Sequence, residues 1–205
     1  MQSSKLPSPL DISHLKTHDD IVSFLYCNYQ RSFLDRLSRP KLFGKFIYVE
    51  ARKVNGKADS FWHVVSLDSA ESRSFRILPC NNDVTYSICP DNCIAKNHTV
   101  VLLNGTSRDI CYYRGTRLNW IPSIITLANN QDPSIKMWRK GNLLHIRFQH
   151  ESADYIVLLT EIYNSMKGLT YYIFVSAFPV FYLNKKRDYD NDYRAFISQN
   201  TALVL

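Results

Sequence analysis

The sequence predicts an α+β domain in which N-terminal helices pack on a mostly antiparallel sheet of about four to six strands. Three observations predict it. Apolar residues between Asp11 and Arg39 recur at helical spacing. The second half carries alternating and continuous apolar runs, punctuated by short turn signals. With 205 residues, 45% hydrophobic and 21% charged, the chain is in the globular range and long enough for a substantial core.

In chain order, residues 1–9 read as a loose tail, interrupted by Pro7 and Pro9. Ile12, Leu15, Ile21, Phe24, Leu25, Phe33, Leu34 and Leu37 then mark a helical stripe, with Asp11 or Ser13 as its cap and Pro40 as its end. One helix, or two broken between Thr17 and Asp20, fit the pattern equally. Residues 1–40 therefore read as a helical accessory segment and 41–205 as the main domain. Leu42 to Lys53 reads as a strand, Asn55-Gly56 as a hairpin turn, and Phe61 to Leu67 as the returning strand, which carries His63. Residues 68–108 are an irregular insertion rich in Pro, Asn and Asp, with a short strand at Thr99 to Leu103. Leu118 to Ala128 reads as a helix with Leu118, Ile121, Ile124, Ile125 and Ala128 on one face.

Ile135 to Arg139 and Leu143 to Gln149 flank the turn Gly141-Asn142. In the second of these strands Leu144, Ile146 and Phe148 alternate with His145, Arg147 and Gln149, which predicts one apolar and one basic face. Tyr155 to Ile162 and Thr170 to Phe178 read as apolar runs, as expected of central strands. Tyr189 to Ser198 closes the chain as a helix.

Charge and cysteine usage narrow the function classes. The net charge is +7 and the sequence pI is near 9.1, a balance that attracts polyanions. Arg114, Arg117, Lys136, Arg139, Lys140 and Arg147 face only Asp132 between Arg114 and His150. A second cluster, Lys185-Lys186-Arg187, reads as a basic turn and is followed by Asp188, Asp190 and Asp192. The polar N-terminus carries no secretory pattern, and the longest apolar run, Tyr171 to Leu183, contains Ser176 and Pro179 and is too short for a spanning helix. The expectation is a cytoplasmic protein with no membrane partner. Five cysteines, an odd number, argue against a full disulfide framework. Cys80, Cys89, Cys93 and Cys111 cluster in or beside the 68–108 insertion, but Cys80, Cys89, Cys93 and His98 match no common zinc spacing, so ordinary thiols are favoured over structural zinc and no metal or cofactor is expected.

Metal-free RNA cleavage needs a base for the ribose 2′-hydroxyl, an acid for the leaving 5′-oxygen and cations for the charge that builds on phosphorus. His63 can carry the proton. Arg114 and Arg117 can hold phosphate bidentately. Ser176 interrupts an apolar run, where a hydroxyl needs a partner. It could meet a phosphate oxygen or the imidazole, and a satisfied core serine fits equally well. Lys185, Lys186 and Arg187 could grip the RNA backbone, and Tyr193 could stack a base. Two alternatives use other residues: His145 with Arg147 on one strand face, and His14 with His18 at a metal-compatible spacing.

These segments, taken in order, resemble the phage- and mobile-element-associated nucleases of the barnase/EndoU/colicin/RelE-like superfamily. The motifs are Phe61-Trp62-His63, Arg114 to Ile121 as Arg-x-x-Arg-Leu-x-Trp-Ile, Trp138, the basic strand Leu143 to Phe148, Tyr155 to Leu159, Val175-Ser176-Ala177, and Lys185 to Tyr193. The likeness covers residues 42–197. It implies helices on a four-stranded antiparallel sheet and a metal-independent endoribonuclease, often a toxin or phage–host conflict protein with an antitoxin or immunity protein as partner. By position, His63, Arg117 and Ser176 match the family's catalytic positions. Ser176 stands where threonine is common, and the insertion at 68–108 is longer than the family pattern. The alternative is a non-catalytic RNA-binding module or a protein-interaction effector on the same fold.

Overall fold

The computed structural model describes residues 2–69, 98–180 and 183–201. It is a mixed α+β architecture built on a six-stranded sheet. The sheet order is β1 (Lys41–Leu42), β2 (Lys45–Tyr48), β11 (Leu169–Pro179), β10 (Ala153–Tyr163), β9 (Leu143–His150) and β8 (Ile135–Lys140). Every pairing is antiparallel except β2 with β11, where Ile47 and Tyr48 run parallel to Tyr172 and Ile173. A separate three-stranded sheet has the order β5 (Ser66–Asp68), β7 (Ser107–Ile110), β6 (Thr99–Val101).

The first helix, α1, is single and runs His18–Tyr29. Its cap is Thr17, whose hydroxyl oxygen accepts from the Asp20 amide; Asp11 instead folds a local turn with Ser13. A π-helical turn, Gln30–Leu34, carries the helix on. It sets Phe33 against Phe174 of β11 at 4.8 Å between rings, while Tyr29 meets Phe61 at 5.5 Å. Leu6, Val22, Leu25, Tyr29 and Phe33 belong to the same buried cluster as Ile146, Tyr155, Val157 and Phe174 of the sheet. The expected loose tail is strapped down. The Leu10 amide donates to Thr116 O, the Trp120 indole to Pro7 O, and Lys5 pairs with Asp132. The tail's Leu6 supplies the burial that a polar tail lacks.

Several expected elements differ. The strand expected over Leu42 to Lys53 is two short strands, broken by Phe43 and Gly44 at positive φ of 48° and 78°. Asn55-Gly56 does form a hairpin, but of only two residues a side, β3 (Lys53–Val54) and β4 (Lys57–Ala58). The chain then turns into α2, Asp59–Val65, so His63 lies on a helix and not on a strand. Phe61, Trp62, Val64 and Val65 are all buried. Burial on both sides removes the polar–apolar contrast that separates helix from strand in sequence, and tertiary packing overrides the strand propensity of these residues. Asp59 in the first turn suits the helix dipole. Most of the 68–108 insertion, with Cys80, Cys89 and Cys93, lies outside the described residues.

Two further helices complete the core side. They are α3 (Tyr112–Gly115) and α4 (Trp120–Asn129). Gly115 allows close approach, since a Cβ there would sit 2.6 Å from Leu25 Cδ1. On α4, Ile121, Ile124, Ile125 and Ala128 form the buried stripe.

The last helix, α5 (Leu183–Thr201), covers part of the opposite sheet face. There it closes a second small cluster, in which Trp138, Ile156 and Val180 meet Tyr189, Tyr193 and Phe196. The face of β9 expected to be basic is therefore buried, with His145 at 6% and Arg147 at 0% exposure. Arg147 is neutralised there. It donates to both Asp154 oxygens at 2.8 and 2.7 Å and to Asp190 of α5 at 3.0 Å. The expected basic turn, Lys185 to Arg187, is the first turn of α5.

Candidate active site

Beside the second half of β11, the end of α2, the small sheet and the start of α5 enclose a cavity of about 310 Å³. His63, Arg108, Arg114, Ser176, Lys185 and Tyr189 line it, along with Asp68 and Phe178. They come from α2, β5, β7, α3, β11 and α5, so the cavity exists only when the chain is fully folded.

His63 is held by its own helix. The helical rise places Asp59, four residues earlier, on the same side about 6 Å away along the axis, whereas a strand would separate them by about 13 Å. His63 Nε2 lies 3.8 Å from Asp59 Oδ2. Burial lowers the imidazole pKa below its ordinary value, and the Arg108 charge lowers it further. The Asp59 carboxylate works against both, while Arg114 and Arg52 add to the depression. His63 is therefore neutral at pH 7, the state a general base requires.

Arg114 secures the end of α2. It is 4% exposed. Its Nε donates to Val64 O at 3.2 Å and its Nη2 to His63 O at 2.9 Å, satisfying carbonyls that a helix C-terminus leaves without partners. Its guanidinium stands 4.9 Å over the Phe178 ring. Ser176 Oγ donates to the same His63 carbonyl at 3.4 Å. Thus Ser176 faces the backbone of the histidine and not its imidazole. Arg108 comes from β7 and is braced by Ser66, with Nε donating to Oγ at 2.8 Å and Nη2 to the carbonyl at 3.1 Å.

Of the expected catalytic residues, His63 and Ser176 converge on the cavity and Arg117 does not line it. Arg117 is 2% exposed. Its guanidinium stacks 3.5 Å over Tyr113 and 5.2 Å from Trp120, and its Nη1 donates to Tyr113 O. About one turn of chain separates the two arginines, yet they take different partners: Arg114 the end of α2 and Phe178, Arg117 the rings of Tyr113 and Trp120. Of the expected RNA-binding residues, Arg114 and Lys185 line the cavity. Lys186 lies 4.0 Å from Asp154, and Arg187 is exposed on α5. Tyr193 packs against Trp138 at 6.0 Å under the Lys136 ammonium. The position expected of Tyr193 is taken by Tyr189, one helical turn earlier.

Asp59, Arg108 and Tyr189 were not singled out by the sequence. Asp59 becomes a partner only through helical spacing, and Arg108 sits in a segment without clear periodicity. Of the alternatives, His145 is buried against Trp138 at 4.9 Å. His18 stacks on His98 at 3.6 Å, and His14 packs edge-on to Phe24. Among the described residues no group of three or more His, Cys, Asp or Glu side chains is placed to hold a metal ion. Among them, too, no helix is long and apolar enough to cross a membrane.

No family model matches the chain, and no curated protein or solved structure shows a significant likeness to it.

Proposed function

We propose that the protein is a metal-independent RNA endonuclease whose active site is this cavity. The observation that carries the reading is the meeting of a neutral imidazole with three cationic side chains, Arg108, Arg114 and Lys185, in one concave site. His63 takes the proton of a ribose 2′-hydroxyl, and the 2′-oxygen attacks the adjacent phosphorus. The bond to the 5′-oxygen breaks and a 2′,3′-cyclic phosphate remains. Arg108 and Lys185 face the phosphate with positive charge that grows in value as charge builds on its oxygens. The Tyr189 phenol is the donor within the cavity for the leaving 5′-oxygen. Arg114 and Ser176 act on His63 through its carbonyl and set the imidazole against the phosphate.

The order of motifs from His63 to Tyr193 supports the likeness to the barnase/EndoU/colicin/RelE-like nucleases. With that likeness come a cytoplasmic toxin or phage–host conflict role and an antitoxin or immunity protein as partner. Incubation of pure protein with total RNA in EDTA tests the activity. Fragments are expected with the wild type and none with His63→Ala. Salt-sensitive RNA binding without fragments would instead support a non-catalytic RNA-binding module.

A further inference from the structure

The sheet face carrying α5 is only partly covered. The helix packs over β8 and the Trp138 cluster, and beyond β10 the same face continues across β11 and β2. Register fixes what that open part displays. Ile173 lies opposite Tyr48, and Lys41 lies opposite Phe46. Tyr48 and Phe46 therefore point away from Ile47, which is fully buried on the core side. Both rings are partly exposed, Phe46 at 37% and Tyr48 at 38%. The aromatics form a chain, with Phe46 to Tyr48 at 6.0 Å and Tyr48 to Tyr171 at 5.2 Å between centroids.

Cations attend the same rings. The Arg39 guanidinium stands 4.7 Å over Tyr48 and the Lys41 ammonium 4.4 Å over Phe46. The strand that carries Tyr171 also carries Ser176 and Phe178 into the cavity. A register shift opposite Leu158 and Leu159 leaves Val175 without a cross-strand partner. That bulge keeps Ile173 and Ser176 on one face. Tyr171 and Ser176 are five residues apart on β11, so cavity and aromatics are separated by about 16 Å along the strand.

We infer that Phe46, Tyr48 and Tyr171 form a stacking platform for the bases of a single-stranded RNA whose phosphate occupies the cavity. The inference rests on the nucleic-acid reading of the cavity and adds its substrate class. Aromatic faces accept any base, and neighbouring cations neutralise the backbone that links the bases. Arg39 and Lys41 give the platform a positive charge complementary to a polyanion. Bases in a duplex are already stacked and paired, so a duplex gains nothing from exposed rings. The separation along β11 means that an oligonucleotide reaches both sites and a mononucleotide reaches one.

Binding of full-length protein to a fluorescent, fully 2′-O-methylated oligoribonucleotide in EDTA isolates this site, because such a strand has no 2′-hydroxyl to attack. Tyr48→Ala and Phe46→Ala should each weaken single-strand binding about tenfold, and Tyr48→Trp should retain it. Binding to the matching duplex should not change with any of the three. Thermal melting of each variant identifies any loss due to unfolding. Equal weakening of single strand and duplex, or no weakening of either, overturns the platform. Failure of wild-type protein to bind the single strand also overturns it. The two readings separate cleanly. A platform that binds while native RNA stays uncut leaves the inference standing without the enzyme. Cutting of native RNA with unchanged affinity in Tyr48→Ala leaves the enzyme without the platform.

Discussion

His63 shows how one side chain's role depends on its surroundings. Its imidazole is kept neutral chiefly by burial, with Arg108 adding repulsion and Asp59 opposing both. The acid limb of log kcat/KM for RNA cleavage should therefore fall at a pH below the ordinary histidine value of 6.5. Asp59→Asn removes the carboxylate that raises the pKa, so it should move the limb lower. Arg108→Gln should move it higher while slowing cleavage. A pH–rate series on the three proteins checks this, and a limb that stays at the same pH in all three contradicts it. Folding follows the same direction. The unfolded chain takes the proton more readily than folded His63 does, so its contribution to stability is present above pH 6.5 and is lost as the pH falls below it. Arg114 and Arg117 make the complementary point. Both are basic and buried, yet one lines the cavity while the other stacks between aromatic rings.

Among elements, those with a single clear period were legible in sequence. Helix α4 has apolar residues at helical spacing, and β8 and β9 are joined by a glycine turn with Gly141 at φ 61°. Strands β10 and β11 are predominantly apolar and lie inside the sheet. Helix α2 was not legible, because its aromatic and β-branched residues favour strands and are buried on both sides. This matters for the site, since the Asp59–His63 pairing depends on the helix. Nor could alternation on β9 reveal that α5 would cover His145 and Arg147. Arg147 is the principal anchor of that helix, joining buried Asp154 to Asp190 and to the carbonyl of Lys186. Arg147→Met should strip buried Asp154 of its two-bond guanidinium partner, leaving only the weaker contacts of Gln149 and Lys186, and cost about 3 kcal/mol. Thermal melting should fall by roughly 10 °C or more. Arg147→Met combined with Asp154→Leu should recover most of the loss. A single variant as stable as wild type would show that other contacts hold α5.

For the whole molecule, each sheet face has a different task. The core face gathers α1, α2 and α4 into one buried cluster, with the N-terminal strap sealing it at Trp120. The other face is covered by α5 over β8 to β10 and the second half of β11, and is partly exposed over the first half of β11 and β2. At the boundary lie the cavity and the aromatic track. A functional site at the border of a partly covered sheet needs α2, β7 and α5 in register together, and that long-range agreement is why Arg108 and Tyr189 could not be read from local sequence. In the proposed reaction His63 drives attack by a ribose hydroxyl. An oligonucleotide of deoxyribose with one internal ribose tests it most directly, in EDTA, with product ends identified by mass. One cut is expected, on the 3′ side of that ribose, leaving a 2′,3′-cyclic phosphate, and none with His63→Ala. Cutting at deoxyribose positions, or an equal cut by His63→Ala, would contradict it.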